Sequence, residues 1–130
     1  MDVVAGQAWL GRLGQAWRDR DAAAAADLFT VDATYHAHPF QPPLKGRPAI
    51  AGYWASGTEH QTAIDVTFGE PLISGDRMAV EWWSVTDARG RKSTDVGGLF
   101  LTFTGARCSD LREYWNLTDG AVGVPEGWGR

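Results

Sequence analysis

The stretch from Asp32 to Trp54 constrains the fold most, because an alternating pattern of side chains gives way to a helical one within it. Residues 34–38 alternate as a short strand does, with Thr34 and two histidines on one face and a tyrosine on the other. Residues 39–46 contain three prolines, which disturb both strand pairing and helix interiors, so an ordered loop is expected there. Pro48 suits the first turn of a helix. A strand that carries histidines therefore leads through a loop into a helix.

The predicted helix after this loop has an aromatic face. Ile50, Tyr53 and Trp54 are spaced i, i+3 and i+4, which places them on one side. The chain has seven tryptophans in 130 residues, and large aromatic side chains are costly to expose in such number. Several are expected to line a core or a cavity. The strand and the aromatic helix together predict one wall of a pocket.

Helical patterns come first in this chain and strand patterns follow. Trp9, Leu13 and Trp17 form an apolar stripe on a first helix, and five alanines after Asp21 favour a second. The predicted helices span residues 3–19, 22–29 and 48–57, and the predicted strands span residues 34–38, 64–68, 78–86, 93–104 and 108–117. This order predicts one α+β domain over residues 1–130, with a curved antiparallel sheet, helices on its concave face and an irregular tail over residues 119–130. Gly97-Gly98 is expected to mark a bulge or a tight bend that curves the sheet.

Composition narrows the class of protein. The net charge of −4 lacks the basic excess that nucleic acids or anionic membranes attract, so neither is expected as a partner. The single cysteine, Cys108, excludes an intrachain disulfide and is compatible with a reducing compartment. No leader-like segment and no apolar run of transmembrane length is present. The expectation is a cytoplasmic globular domain.

The order of these motifs resembles the nuclear transport factor 2-like superfamily and, within it, the SnoaL-like domains. The matching segments are D-A-T-Y-H-A-H-P at residues 32–39, G-R-P-A-I-A-G-Y-W at residues 46–54 and L-R-E-Y-W-N at residues 111–116, within a resemblance from about Trp9 to Thr118. It implies a cone-shaped fold with a deep apolar pocket, often dimeric through the outer sheet face. The family contains isomerases, polyketide cyclases, epoxide hydrolases, dehydratases and non-enzymatic binding proteins, so the fold alone does not settle the function.

This chain lacks the residues that catalyse the best-known reactions of the family. Ketosteroid isomerase resembles residues 33–50 without gaps, and its catalytic aspartate then falls on Ala37, or on His38 if one residue bulges. Its oxyanion-hole tyrosine and its neutral aspartic acid fall near Leu13 and Leu99. The residue set of the epoxide hydrolases is not recognisable either. The cyclases use a carboxyl group in the pocket as acid or base, and this chain has candidates for that role.

Strand parity selects the residues expected in the pocket. The resemblance places Glu113 and Trp115 inward on the last strand, with Asp95 and Leu99 inward on the strand before it. The strand at 78–86 has Glu81 and Trp83 on one face and Trp82 on the other, and the sequence leaves open which face is inward. The working prediction takes the Glu81 face. The predicted apolar lining is then Trp17, Tyr35, Trp54, Trp83, Trp115 and either Leu99 or Phe100.

Five side chains are candidate catalytic groups: His36, His38, Glu81, Asp95 and Glu113. Burial raises the pKa of a carboxyl group and a nearby histidinium opposes that, and such pairs perform general acid–base catalysis. Equally, the glutamates can pair with arginines across strands, and the histidines can bond to loop carbonyls. His-x-His is also a metal-ligand spacing, but no partner motif completes it, so no metal and no other cofactor is predicted. Cys108 has no adjacent base and is not expected to be a nucleophile.

The sequence therefore favours a homodimeric SnoaL-like domain that binds a small hydrophobic molecule, cyclic or aromatic. One hypothesis is a cofactor-free acid–base enzyme of isomerase, cyclase, dehydratase or hydrolase type, in which a histidine and Glu81 act as acid and base. The alternative hypothesis is a non-catalytic ligand-binding or dimerisation domain in which the same carboxyl groups are structural.

Overall fold

The computed structural model describes residues 1–130 and contains three helices and seven strands. The helices are α1 (Val3–Arg18), α2 (Ala22–Asp27) and α3 (Arg47–Thr58), and the strands are β1 (Phe29–His36), β2 (Leu44–Lys45), β3 (Gln61–Phe68), β4 (Leu72–Ser74), β5 (Arg77–Ala88), β6 (Arg91–Thr104) and β7 (Arg107–Asp119). The predicted α+β class with a curved sheet and three helices is confirmed. None of the three helices is long and apolar enough to cross a membrane.

The first two helices begin at aspartates that cap them. The Asp2 side chain accepts a hydrogen bond from the Ala5 N–H at 2.8 Å, and the Asp21 side chain accepts one from the Ala24 N–H at 3.0 Å. Each bond satisfies a backbone donor that has no partner within the helix. Helix α2 ends at Asp27, earlier than the sequence predicted, because Phe29 is already the first residue of β1.

The seven strands form one mixed sheet with the strand order β2-β1-β7-β6-β5-β3, and β4 also pairs with β5. Strands β5, β6 and β7 are the long antiparallel strands that the sequence predicted. Strand β1 lies parallel to β7, with Tyr35 opposite Leu111. This parallel pair brings the first strand of the chain beside its last strand.

The core lies between the inner face of this sheet and the helices. Trp9 of α1 is buried, and its ring meets Phe29 and Phe103 edge-on at centroid distances of 5.7 and 5.4 Å. Its indole N–H donates to the Leu28 carbonyl at 3.1 Å, so burial of the ring leaves no donor unpaired. Inner residues of β6 such as Leu101 complete this apolar layer. The wider end of the space between α1, α3 and the sheet stays open as a cavity.

The two glycines of β6 do not form the bulge that was one of the two alternatives predicted for them. Pairing with β5 and β7 runs through Gly97 and Gly98 without a register shift, so the bulge expected there is absent, and the irregularity lies at Thr102/Phe103. A Cβ on Gly97 would lie 2.1 Å from the Tyr114 carbonyl oxygen, whereas a Cβ on Gly98 would meet nothing closer than 3.9 Å. Gly97 is therefore required by the close approach of β7.

The residues after β7 are irregular, as expected, and they lie against the outer side of the sheet. The Trp83 indole N–H donates to the Val122 carbonyl at 2.8 Å, and its ring meets Trp128 at 5.6 Å. The Thr94 hydroxyl donates to the Gly120 carbonyl at 2.7 Å and accepts from the Val122 N–H at 2.9 Å. The tail is thus held in place by Trp83 and Thr94.

Candidate functional site

A cavity of about 220 Å³ opens between the inner sheet face and helices α1 and α3. Its walls are mainly aromatic: Trp17 comes from α1, Trp54 from α3, Trp82 from β5 and Trp115 from β7. Trp17 meets Trp54 and Trp82 at centroid distances of 5.5 and 5.7 Å, with the rings steeply inclined to each other. The polar groups in this lining include two carboxyl groups and two tyrosine hydroxyls, from Asp95, Glu113, Tyr35 and Tyr53.

Glu113 is the most buried acidic side chain of the cavity, with 8% of its surface exposed. The Tyr35 hydroxyl donates to its Oε2 at 3.1 Å, and the Tyr53 hydroxyl donates to its Oε1 at 2.5 Å. The three residues come from β7, β1 and α3, so the fold itself assembles the group. Each carboxyl oxygen keeps one further lone pair for a ligand.

Burial raises the pKa of Glu113 from its ordinary 4.5 to about 7. The hydrogen bonds from Tyr53 and Tyr35 oppose this rise, because they favour the charged form, and the neighbouring Asp95 adds to it. Burial also raises the pKa of both tyrosines, with the Glu113 charge as the next cause, so their hydroxyls remain proton donors. Near neutral pH, Glu113 can therefore give or take a proton.

Asp95 is the second carboxyl group of the cavity and has a different environment. Its Oδ1 is buried and has no hydrogen-bond partner, and burial raises its pKa. It lies four residues along β6 from Leu99, which pairs with Glu113, so roughly 13 Å of strand separates the two backbone positions. The indole N–H groups of Trp54 and Trp82 are also buried without a partner. Buried polar atoms are normally paired, so these three mark places where a ligand can bond.

The structure places many of the predicted site residues in this one cavity. Both predicted inner faces, that of β6 and that of β7, line it. The predicted residues that it brings together are Trp17, Tyr35, Trp54, Asp95, Leu99, Glu113 and Trp115. Their roles in binding or catalysis stay predictions at this point.

The placement predicted for Glu81 and Trp83 is wrong. The inner face of β5 is the opposite one, on which Val80 and Trp82 are buried. Glu81 is exposed on the outer face, and Trp83 lies there against the tail. Successive residues of a strand point to opposite faces, so Glu81 and Trp83 share one face of β5. The wrong choice of inner face therefore misplaced both side chains.

Neither histidine lines the cavity. The prediction that His36 or His38 acts there as acid or base with Glu81 is therefore wrong for the histidine as well. Because Tyr35 points inward, His36 points outward, and its Nε2 lies 3.0 Å from Oδ1 of Asp110. His38 follows the end of β1 and lies beside Trp115, with 5.9 Å between the ring centroids, in an adjoining groove. No three His, Cys, Asp or Glu side chains lie close enough to share a metal ion.

Tyr53 and Trp82 are among the cavity residues that were not predicted as site residues. Tyr53 was placed on the aromatic face of α3, but its bond to Glu113 links positions 60 residues apart and leaves no local signal. Trp82 had a signal, since Met78, Val80 and Trp82 share a face without a charged residue. Cys108 is buried, and burial raises the pKa of its thiol to about 12, so it stays protonated and unreactive.

Comparison with known proteins matches a family model described as a SnoaL-like domain to residues 10–110. No match was found among curated proteins. Three similar solved structures share the fold at low sequence identity. A protein of ketosteroid isomerase-like fold from Catenulispora acidiphila, in complex with trimethylamine, is 21% identical, with a TM-score of 0.73 over 82% of this chain and 83% of that one. A Mycobacterium tuberculosis protein is 16% identical, with a TM-score of 0.77 over 92% and 99%. The epoxide hydrolase/cyclase-like enzyme SalBIII, which has a role in pyran ring formation in the polyether salinomycin, is 16% identical, with a TM-score of 0.76 over 88% and 95%.

Proposed function

The chain belongs to the SnoaL-like domain family, and on that premise we propose that its cavity binds a small, largely apolar molecule on which Glu113 acts as a general acid or base. The observation that carries the proposal is Glu113 itself. A carboxyl group that is buried in an aromatic cavity, and whose pKa lies near 7, has both protonation states available at neutral pH.

The cavity limits the size of the molecule. Pockets for drug-sized ligands measure about 300–1,000 Å³. The volume of about 220 Å³ is smaller and favours a compact ligand with one ring, two fused rings or a small alkyl group over a larger polycyclic one. The indoles of Trp17, Trp54 and Trp82 supply the apolar contact area.

The two tyrosines fit the proton-transfer role. When Glu113 is ionised, Tyr35 and Tyr53 donate one hydrogen bond to each of its oxygens and hold the carboxylate in a fixed orientation. After Glu113 takes a proton from the ligand, its charge disappears, which burial favours. Asp95 is the other carboxyl group that can exchange a proton with the ligand. Among the similar structures, one is an epoxide hydrolase/cyclase-like enzyme and another is a complex with trimethylamine, and both support a small molecule as the ligand.

A purely ligand-binding domain is the second candidate function, and one observation favours it. Both oxygens of Glu113 already accept a tyrosine hydrogen bond, which is also what a structural carboxyl group requires. The two functions differ in whether Glu113 removes a proton from a bound molecule.

We expect the protein to catalyse proton removal from 5-nitrobenzisoxazole. A base takes the C–H proton of this flat aromatic probe while its N–O bond breaks, which releases a coloured cyanophenolate. The rate should saturate with probe concentration and rise with pH around a midpoint of about 7, because only ionised Glu113 is a base. Glu113→Gln should lower the rate by about 100-fold or more, which is the usual contribution of a positioned base.

The matched control for this experiment is Glu81→Gln, which removes a carboxyl group from the outer sheet face. It should leave the rate unchanged. Saturable binding of the probe without turnover would leave the ligand-binding domain as the function. Equal turnover by the wild type and Glu113→Gln would remove Glu113 as the base.

We also propose that the outer sheet face joins two copies of the chain. Phe100 and Tyr114 lie there with 45% and 47% of their surfaces exposed, and their rings meet at 6.0 Å. Such exposed aromatic pairs are enriched at interfaces. Sedimentation equilibrium at micromolar concentration should give twice the chain mass of 14.2 kDa. Tyr114→Arg should give single chains, and a wild-type mass of one chain would refute the dimer.

A further inference from the structure

The cavity has acidic groups but no basic ones. Among the residues that line it, Asp95 and Glu113 are the side chains that can carry a charge near neutral pH, and no lysine, arginine or histidine is present. A carboxylate far from a counter-charge is costly inside an apolar cavity. Two such groups also repel each other, so a positive ligand is the partner that both would favour.

The indole rings add to this preference. A cation over the face of a tryptophan, within about 6 Å of the ring centroid, is attracted by the ring quadrupole, and tryptophan is the best of the aromatic residues for this. Trp17 is inclined by 78° to Trp54 and by 66° to Trp82, so these three contacting rings form a wall of the cavity that does not lie in one plane. Cages of aromatic rings recognise quaternary ammonium groups in this way, and a nearby carboxylate adds the attraction of its charge.

Two kinds of unpaired atom indicate what else the ligand carries. Oδ1 of Asp95 is buried without a hydrogen-bond donor, and a positive ligand group beside it would supply its missing partner. Trp82 is 94% buried, since 6% of its surface is exposed, and its indole N–H has no acceptor, as is also true of Trp54. A hydroxyl or carbonyl oxygen on the ligand would accept from them.

We propose that the cavity binds a small alkylated ammonium cation that also carries an oxygen acceptor, with its positive charge between the indole rings and Asp95. The inference rests on the proposed ligand-binding function and names the class of ligand. An uncharged ligand would instead fit a cavity in which both carboxyl groups hold protons.

The test uses two probes of the same shape that differ in charge. Choline has a quaternary nitrogen where 3,3-dimethylbutan-1-ol has a carbon, and both have a hydroxyl oxygen. Tryptophan fluorescence titrations at pH 8 should give a dissociation constant for choline at least about tenfold lower than that for the alcohol. Equal affinities, tighter binding of the alcohol, or no binding of choline would each overturn the inference.

The affinity for choline should also fall between pH 8 and pH 6, whereas that for the alcohol should not. Protonation of Glu113, whose pKa is about 7, removes negative charge from the cavity over this range. Within the cavity, the titratable groups that face Glu113 are Tyr35 of β1, Tyr53 of α3 and Asp95 of β6, and the lining residues of α1 and β5 include none. His38, beyond the end of β1, shares the adjoining groove with Glu113. The tyrosines stay protonated throughout, so the fall in affinity should persist in a His38→Asn variant if the carboxyl groups carry the change.

Asp95→Asn should raise the dissociation constant for choline by about tenfold and leave that for the alcohol unchanged. Asp110→Asn, which changes a carboxyl group outside the cavity, is the matched control and should change neither. An unchanged choline affinity in Asp95→Asn would overturn the placement of the charge. Failure of choline to bind leaves the proposed function to be judged separately by the turnover of 5-nitrobenzisoxazole.

Discussion

Replacing Glu113 with glutamine will make the protein more stable at pH 8, by about 1–3 kcal/mol, although the residue lies in the cavity. The folded state raises the pKa of Glu113 from 4.5 to about 7. Between these two pH values the unfolded chain has lost the proton that the folded chain still holds, so the free energy of unfolding of the wild type falls as pH rises. Each pKa unit corresponds to about 1.4 kcal/mol, which makes the full loss about 3 kcal/mol.

Glutamine avoids this loss because it has no charge to bury. Its amide oxygen can accept from one tyrosine and its amide N–H can donate to the hydroxyl of the other, so the contacts with Tyr35 and Tyr53 survive in altered form. Urea unfolding at pH 5, 6, 7 and 8 measures the difference, which should grow from pH 5 to pH 8. Glu81→Gln on the outer face is the matched control, because it removes a carboxyl group that lies outside the cavity. A Glu113→Gln variant less stable than the wild type at pH 8 would mean that the tyrosine bonds to the carboxylate outweigh the cost of its burial.

Gly97→Ala should be the most damaging of the single-methyl changes in the sheet, with a loss of about 3 kcal/mol or more. The added Cβ would lie 2.1 Å from the Tyr114 carbonyl oxygen, 2.8 Å from Cβ of Trp115 and 2.9 Å from its Cα. These atoms belong to the backbone of β7 or are attached directly to it, so relief requires the strand to move. That movement would displace Trp115 from the cavity wall.

The neighbouring glycine provides the control. Gly98→Ala adds the same methyl group to the opposite face of β6, where the nearest atom is 3.9 Å away. Its effect should stay within about 0.5 kcal/mol, since alanine also reduces the conformational freedom of the unfolded chain. Urea unfolding and choline titration of both variants test the contrast. Similar losses of stability in the two variants would show that the approach of β7 to Gly97 is not what requires glycine.

Most elements of the fold were predictable because their signals are local. The short strands β2 and β4, and the start of β1 at Phe29, were not predicted. The apolar stripe of α1 and the alternation along β6 and β7 report the face that each element buries, and the structure follows them. The inner face of β5 was ambiguous, because a tryptophan lies on each face. The outer one, Trp83, is covered by the tail, and no local pattern reveals that cover.

The candidate site was less predictable because it depends on pairings across the chain. The parity of β1 allows either Tyr35 or His36 to point inward but not both, so the prediction of both as pocket residues was inconsistent. The bond between Tyr53 and Glu113, like the one between Tyr35 and Glu113, joins positions at least 60 residues apart. The environment of Glu113 therefore depends on tertiary contacts. The strand that carries Glu113, and the face on which it lies, could be predicted from the sequence.

The parallel pairing of β1 with β7 also determines when the cavity can exist. Tyr35 lies opposite Leu111, so this contact closes a loop that contains most of the chain, and contacts of such long range slow folding. During synthesis, β1 and α3 emerge before their partner strand, since Glu113 follows Tyr35 by 78 residues. The cavity therefore cannot be completed before β7 has emerged, and a chain that stops short of β7 lacks both Glu113 and the wall that Trp115 provides.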